Sequence, residues 1–172
     1  MNEHYVITIK ADNRPGLVHL ITGMINRKLI DIESLNAAKT DISSIVLITI
    51  ELNVSEKALT PLLLKLENII EVYAAEALKV DKVICHRSAF FKMSRSFLET
   101  PNALVLQKYG AAIVNLYKDA ILICKSGSEA ELQNFYNQLE GSHLLGFSQT
   151  GLISESKLIE NSDEWRISKL AA

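Results

Sequence analysis

Long apolar runs are missing from this 172-residue chain. None approaches the roughly 18 residues that a membrane helix needs, so no membrane span is expected. Residues 1–10 lack the basic, then apolar, then small-residue order of a signal peptide, and no leader is expected. Cysteine is scarce. Cys85 and Cys124 sit in apolar, strand-like stretches and read as core thiols of a reducing compartment rather than a disulfide, which makes cytoplasm the expected location. Neither sign of charge dominates: 18 basic and 20 acidic residues leave a formal charge of −2, so whole-chain charge gives no reason to expect nucleic acid. A composition of 48% hydrophobic and 22% charged residues is that of an ordinary globular protein, not a disordered or collagen-like one.

Motifs that carry chemistry are also missing. There is no Gly-x-Gly-x-x-Gly and no phosphate loop ending in Gly-Lys-Ser/Thr. Gly146-Phe147-Ser148-Gln149-Thr150 begins like a nucleophile elbow but ends in Thr, within a predicted strand, so Ser148 is not read as a nucleophile. His4, His19, His86 and His143 form no His-x-x-x-His pair, and surface or satisfied core imidazoles are the better reading. Lys79, Lys82, Arg87, Lys92 and Arg95 flank Phe90 and Phe91, but the stacking signature of an RNA-binding sheet is absent. A solvated face, or contact with an acidic protein partner, is expected there.

What is present is an order of elements. In 5–10, Tyr5, Ile7 and Ile9 share one face, as in a half-buried strand. Asn13 can cap a helix with Pro15 in its first turn, and Leu17, Leu20, Ile21, Met24 and Ile25 recur at helical spacing. Residues 30–39 turn extended, 40–43 are turn-like, and 45–52 are rich in β-branched residues. A second helix either starts at Ser55 and kinks at Pro61, or starts at Thr60-Pro61; 69–77 close the unit as a strand.

Residues 78–155 repeat that order. A strand at 80–90 precedes a helix that begins near Ser88 or, preferably, at Thr100-Pro101, and ends at Gly110. Residues 111–117 and 120–125 read as a hairpin. Ser128-Glu129-Ala130-Glu131 is a capping box for a helix with Leu132, Phe135, Tyr136 and Leu139 inward, and 144–153 are the last strand. The expected fold is α+β: two ferredoxin-like βαββαβ units, 1–77 and 78–155, with a tail at 156–172. A unit of that size has a thin core and an open face or edge, so pairing with another copy is expected.

One loop can hold a ligand. Asn13-Arg14-Pro15-Gly16-Leu17 joins a strand to a helix N-terminus, where backbone N–H groups and the helix dipole favour a carboxylate, and Gly16 leaves the approach open. Alone, this is only a helix start. With Asp12 before it, the loop resembles the opening of the ACT domain, a small amino-acid-sensing module. Together with Gly23-Met24, Arg27 and Asp31-Ile32-Glu33-Ser34-Leu35, it resembles the regulatory (small) subunits of acetolactate synthase, also called acetohydroxyacid synthase. The resemblance is strong to Asn36, weak after Leu78, and stops before the tail that holds Trp165. The tail reads as an extension or a docking segment. A free-standing ACT sensor of another amino-acid enzyme is the alternative.

The resemblance implies a non-catalytic chain that binds no cofactor. Its partner would be the large catalytic subunit of acetolactate synthase, which carries thiamine diphosphate, Mg²⁺ and FAD and opens valine, leucine and isoleucine synthesis. The small subunit raises that activity and confers feedback inhibition by a branched-chain amino acid, usually valine. It further implies a homodimer through the ACT domains. The small-molecule amino-acid effector would lie between Asn13, Pro15, Gly16 and Leu17 of one chain and Asp31 and Ile32 of the other. Where the family has Gly-Tyr-Asn, this chain has Leu29-Ile30-Asp31. Asp31 then meets the effector's ammonium, opposes its carboxylate, or faces water.

Overall fold

The computed structural model describes residues 2–156. They fall into two compact units. The first comprises residues up to Ile84 together with those from Leu152, and the second is Cys85–Gly151. The seam therefore lies seven residues beyond the Ala77 boundary read from the sequence, and the chain returns to the first unit at Leu152. Thr8 Oγ1 and Ser154 Oγ stand 3.5 Å apart there. The expectation for the tail concerns residues that, beyond Ser156, lie outside those described.

The first unit runs β1 (Glu3–Asp12), α1 (Leu17–Asn26), β2 (Ile32–Lys39), β3 (Ile45–Val54), α2 (Glu56–Glu67) and β4 (Val72–Lys79). Its antiparallel sheet has the order β2-β3-β1-β4. Ile7, Ile9, Ile48, Ile50 and Leu52 on one face pack against Ile21 and Ile25 of α1 and Leu62 and Leu66 of α2. Each such side chain contributes about 1.5–3 kcal/mol by leaving water. β1 is more buried than its alternation predicts. Val6, and Thr49 and Glu51 of the neighbouring β3, are buried on the opposite face as well.

Pro61 lies inside α2, which starts after Ser55 and runs through it. Pro61 deprives the Lys57 carbonyl of its usual donor. Burial of Leu59, Leu62 and Leu66 on one side of the helix outweighs that loss.

The second unit contains most of β5 (Val83–Ser94), then α3 (Leu104–Lys108), β6 (Ala112–Leu116), β7 (Ala120–Gly127), α4 (Glu129–Leu139) and β8 (Leu144–Gln149). The order β6-β7-β5-β8 repeats that of the first sheet, so both units are ferredoxin-like. Phe91, Phe135, Ile121 and Ile123 form its core, with the Phe91 and Phe135 rings edge-on at 4.9 Å between centroids.

Three expectations change here, and one alternative falls. Ser88 starts no helix: it lies in β5 opposite Ser126, with the two hydroxyls 2.7 Å apart. The helix expected from Thr100 begins as short 3₁₀ turns at Arg95–Glu99 and Pro101–Ala103, leaving α3 only five residues. The last strand breaks after Gln149 and resumes as β9 (Ile153–Ser156). Cys85 and Cys124 are half-buried rather than core.

Candidate functional site

The loop after β1 is pinned from both sides. Asp12 N–H donates to the Glu71 carbonyl at 2.8 Å, and Asn13 N–H to the Ser44 carbonyl at 2.7 Å. The Asn13 side chain also turns to that side, its Nδ2 lying 3.5 Å from the Ser43 carbonyl. Asn13 therefore does not cap α1. Gly16 stands at the cap position with φ +87°, a left-handed backbone that suits glycine, and Pro15 precedes the helix rather than opening it. A Cβ at Gly16 would meet nothing within 4 Å, so the requirement is conformational and the space above the loop is open.

Leu20 N–H bonds to the Gly16 carbonyl at 2.9 Å, while Leu17 N–H is only 3.4 Å from the Arg14 carbonyl. The Leu17 side chain is core, so only its backbone can face a ligand. Among the described residues, the Val18 and His19 N–H groups donate to no backbone carbonyl outside the helix. This end of α1 can accept an anion.

Three side chains surround the loop, two of which, Tyr73 and Glu71, sequence reasoning missed. The Tyr73 hydroxyl donates to Asp12 Oδ1. That bond holds the Tyr73 phenol above its usual range. Arg14 lies 3.9 Å from Asp12 Oδ2 and 3.7 Å from Glu71 Oε1. Arg14 is visible in the sequence beside Asp12. Tyr73 and Glu71 reach the loop only through the pairing of β1 with β4.

The second set of predicted residues lies elsewhere. Three residues past the end of α1 at Asn26, Leu29 is the one non-glycine residue with positive φ, +55°, among those described. Its side chain is 94% exposed. Ile30 is buried, Asp31 is exposed, and Ile32 begins β2 half-buried. Ile32 stands opposite Leu52, which stands opposite Tyr5, whereas Asp12 stands opposite Ile45. The seven-residue step from Tyr5 to Asp12 spans about 23 Å at the usual strand rise. Within one chain, a single amino acid cannot touch both Asn13 and Asp31.

Elsewhere, the basic cluster read from the sequence is dispersed. Lys79 pairs with Glu3 at 2.8 Å, Arg87 with Glu129 at 2.6 Å, and Phe91 is fully buried. Ser148 lies in β8 opposite Phe90, with no strand-to-helix turn at that point. Among the described residues, no three His, Cys, Asp or Glu side chains are arranged to hold a metal ion. A depression of about 340 Å³ in the second unit is lined by Lys92, Tyr117, Lys118, Asp119, Ala120 and Leu122, none of them a predicted site residue.

The acetolactate synthase small subunit of Bacillus subtilis (strain 168) is 22% identical to this chain over 148 residues, covering 85% of this chain and 86% of that protein. The crystal structure of the acetolactate synthase small subunit from Thermotoga maritima matches with a TM-score of 0.82. That match covers 91% of this chain and 98% of the other at 13% identity. The chain resembles an acetolactate synthase small subunit in sequence and has its fold. No protein-family model matches the chain. The structural match to the small subunit extends through both ferredoxin-like units, although the motif resemblance is strong only as far as Asn36.

Proposed function

We propose that this chain is the regulatory, non-catalytic subunit of an acetolactate synthase in branched-chain amino acid biosynthesis. The observation that carries this reading is the match of both βαββαβ units, in one alignment, to a small subunit of that enzyme. The partner is the large catalytic subunit, which holds thiamine diphosphate, Mg²⁺ and FAD; this chain holds none of them. It raises the partner's activity through contact, as a population shift toward a competent state. The second unit makes that contact, because the first is committed to effector and dimer. The complex works in the cytoplasm.

The effector is a branched-chain amino acid such as valine. It lies between two copies of this chain, with its carboxylate at Asn13–Leu17 of one and its ammonium near Asp31 and Ile32 of the other. The separation of the two half-sites within one chain supports that division. α1 supports the pairing. Gly23 sits inside the helix with nothing within 4 Å of where a Cβ would be. A mid-helix glycine costs about 1 kcal/mol relative to alanine, and nothing in the described residues requires it. Leu20, three residues before Gly23 and so on its side of the helix, leaves more than a third of its surface exposed. A second copy packed closely on α1 accounts for both.

Co-purification with the large subunit of the same host, followed by assay with and without valine, tests the reading. Binding, activation, and inhibition that needs this chain are expected. A large subunit that neither binds nor responds to it sinks the proposal.

A further inference from the structure

The segment Ile32-Glu33-Ser34-Leu35 contains a register break. Ile32 stands opposite Leu52 and Ser34 opposite Glu51, so Glu33 is an extra residue, a bulge in β2. The bulge carries the Glu33 side chain toward β1, where its Oε2 lies 3.2 Å from His4 Nε2. The same imidazole nitrogen is 3.4 Å from Glu51 Oε1. Ser34 Oγ donates to the other oxygen of that carboxylate, Glu51 Oε2. Three strands thus meet at one carboxylate whose side chain is only 3% exposed.

Stability alone explains this arrangement poorly. A well-packed apolar group can replace a buried charge at little or no loss, whereas a satisfied polar network selects one geometry over its neighbours. The geometry at stake is the register of β2. A slip of one residue turns every side chain of a strand to the other face. Asp31 and Ile32 immediately precede the bulge, so its place determines which way they point.

We propose that Ser34 and Glu51, with His4, are positioning residues for the effector response: they lock the bulge at Glu33 and so set the direction of Asp31 and Ile32. This rests on the reading of the start of β2 as half of the effector site. The Ser34–Glu51 bond is charge-assisted, the stronger class of hydrogen bond, and it is the cross-strand pair next to the bulge.

Two measurements on the full chain test this. Hydrogen exchange of amides 30–36 is compared among wild type, Ser34→Ala and Ser34→Thr. With the large subunit added, the valine concentration giving half-inhibition is read for the same three. Ser34→Ala is expected to speed exchange at 30–36 about tenfold, the loss expected for one such bond. It is expected to raise the valine requirement by a similar factor while leaving activation without valine unchanged. Ser34→Thr keeps the hydroxyl and restores both. Unchanged exchange at 30–36, or equal acceleration throughout β1 and β4, overturns the proposal. So does an unchanged valine requirement when the wild type responds to valine. A wild type that binds and activates the large subunit but ignores valine refutes the effector reading instead, and the role in the response falls with it. If Ser34→Ala does not fold, Glu51→Gln is read by the same criteria.

Discussion

Asn13 and Asp31 occupy opposite ends of the first sheet, one just beyond the pairing of Asp12 with Ile45, the other just before that of Ile32 with Leu52. A ligand that needs both must draw them from two chains. Mixed dimers can test this. Asn13→Ala and Asp31→Ala homodimers each have two damaged sites. A dimer with one chain of each has one doubly damaged site and one intact site. Valine titration by calorimetry is expected to give wild-type affinity at half the wild-type stoichiometry in the mixed dimer. No recovery on mixing means that the halves do not combine.

In the proposed site, the charge of Asp31 makes its orientation testable. If it faces the effector's ammonium, the hydrogen bond is charge-assisted and roughly twice as strong as that of a neutral amide. Asp31→Asn should then weaken valine binding, by about fivefold for a difference near 1 kcal/mol. Tighter binding by the Asn variant would place Asp31 against the carboxylate. Equal binding would place it outside the site.

Much of the fold was legible because burial and spacing agree along the chain. Tyr5, Ile7 and Ile9 alternate onto the core face of β1, and Leu59, Leu62 and Leu66 do so at helical spacing in α2. The misreadings came from partners distant in sequence. Asn13 is a good cap by type, but the turn between β2 and β3 offers its side chain a carbonyl, and Gly16 takes the cap position. Ser88, the less favoured of two helix starts, can open a helix locally, but pairing with Ser126 keeps it in a sheet. The loop at 13–17 could be read because its residues are consecutive. The Tyr73–Asp12 bond and the His4–Glu51–Ser34 cluster could not, because register alone brings them together.

Leu29 occupies a left-handed backbone that costs an L-residue about 1–2 kcal/mol. Its side chain is almost fully exposed, so replacement removes almost no packing. Leu29→Gly relieves the strain but makes the unfolded chain freer, leaving a net gain of roughly 0.5–1 kcal/mol. Gly16→Ala is the converse, since it forces a Cβ into φ +87° and should cost about 1 kcal/mol. Urea denaturation of both variants checks the pair. A destabilised Leu29→Gly would mean that the leucine side chain makes a contact in solution, as at an interface between copies.

Ser128 and Glu131 open α4 with reciprocal hydrogen bonds. The Glu131 carboxylate accepts Ser128 N–H at 2.8 Å, and Ser128 Oγ accepts Glu131 N–H at 3.3 Å. The backbone donor of Ser128, followed by its hydroxyl, holds the Glu131 carboxyl below its usual range. Gly127 makes room for the arrangement: a Cβ there would fall 2.8 Å from Glu131 Oε2. A carboxyl whose folded value is depressed stabilises the fold above its unfolded value, and that contribution fades as pH falls through the folded one. Thermal denaturation of the wild type should therefore lose stability on acidification through the carboxylate range. Glu131→Gln should lower the midpoint at pH 7 and flatten part of that acid slope. Ser128→Ala removes the cap, with an expected fall of roughly 2–4 °C at neutral pH. An acid slope identical in wild type and Glu131→Gln would show that the carboxylate contributes nothing to folding.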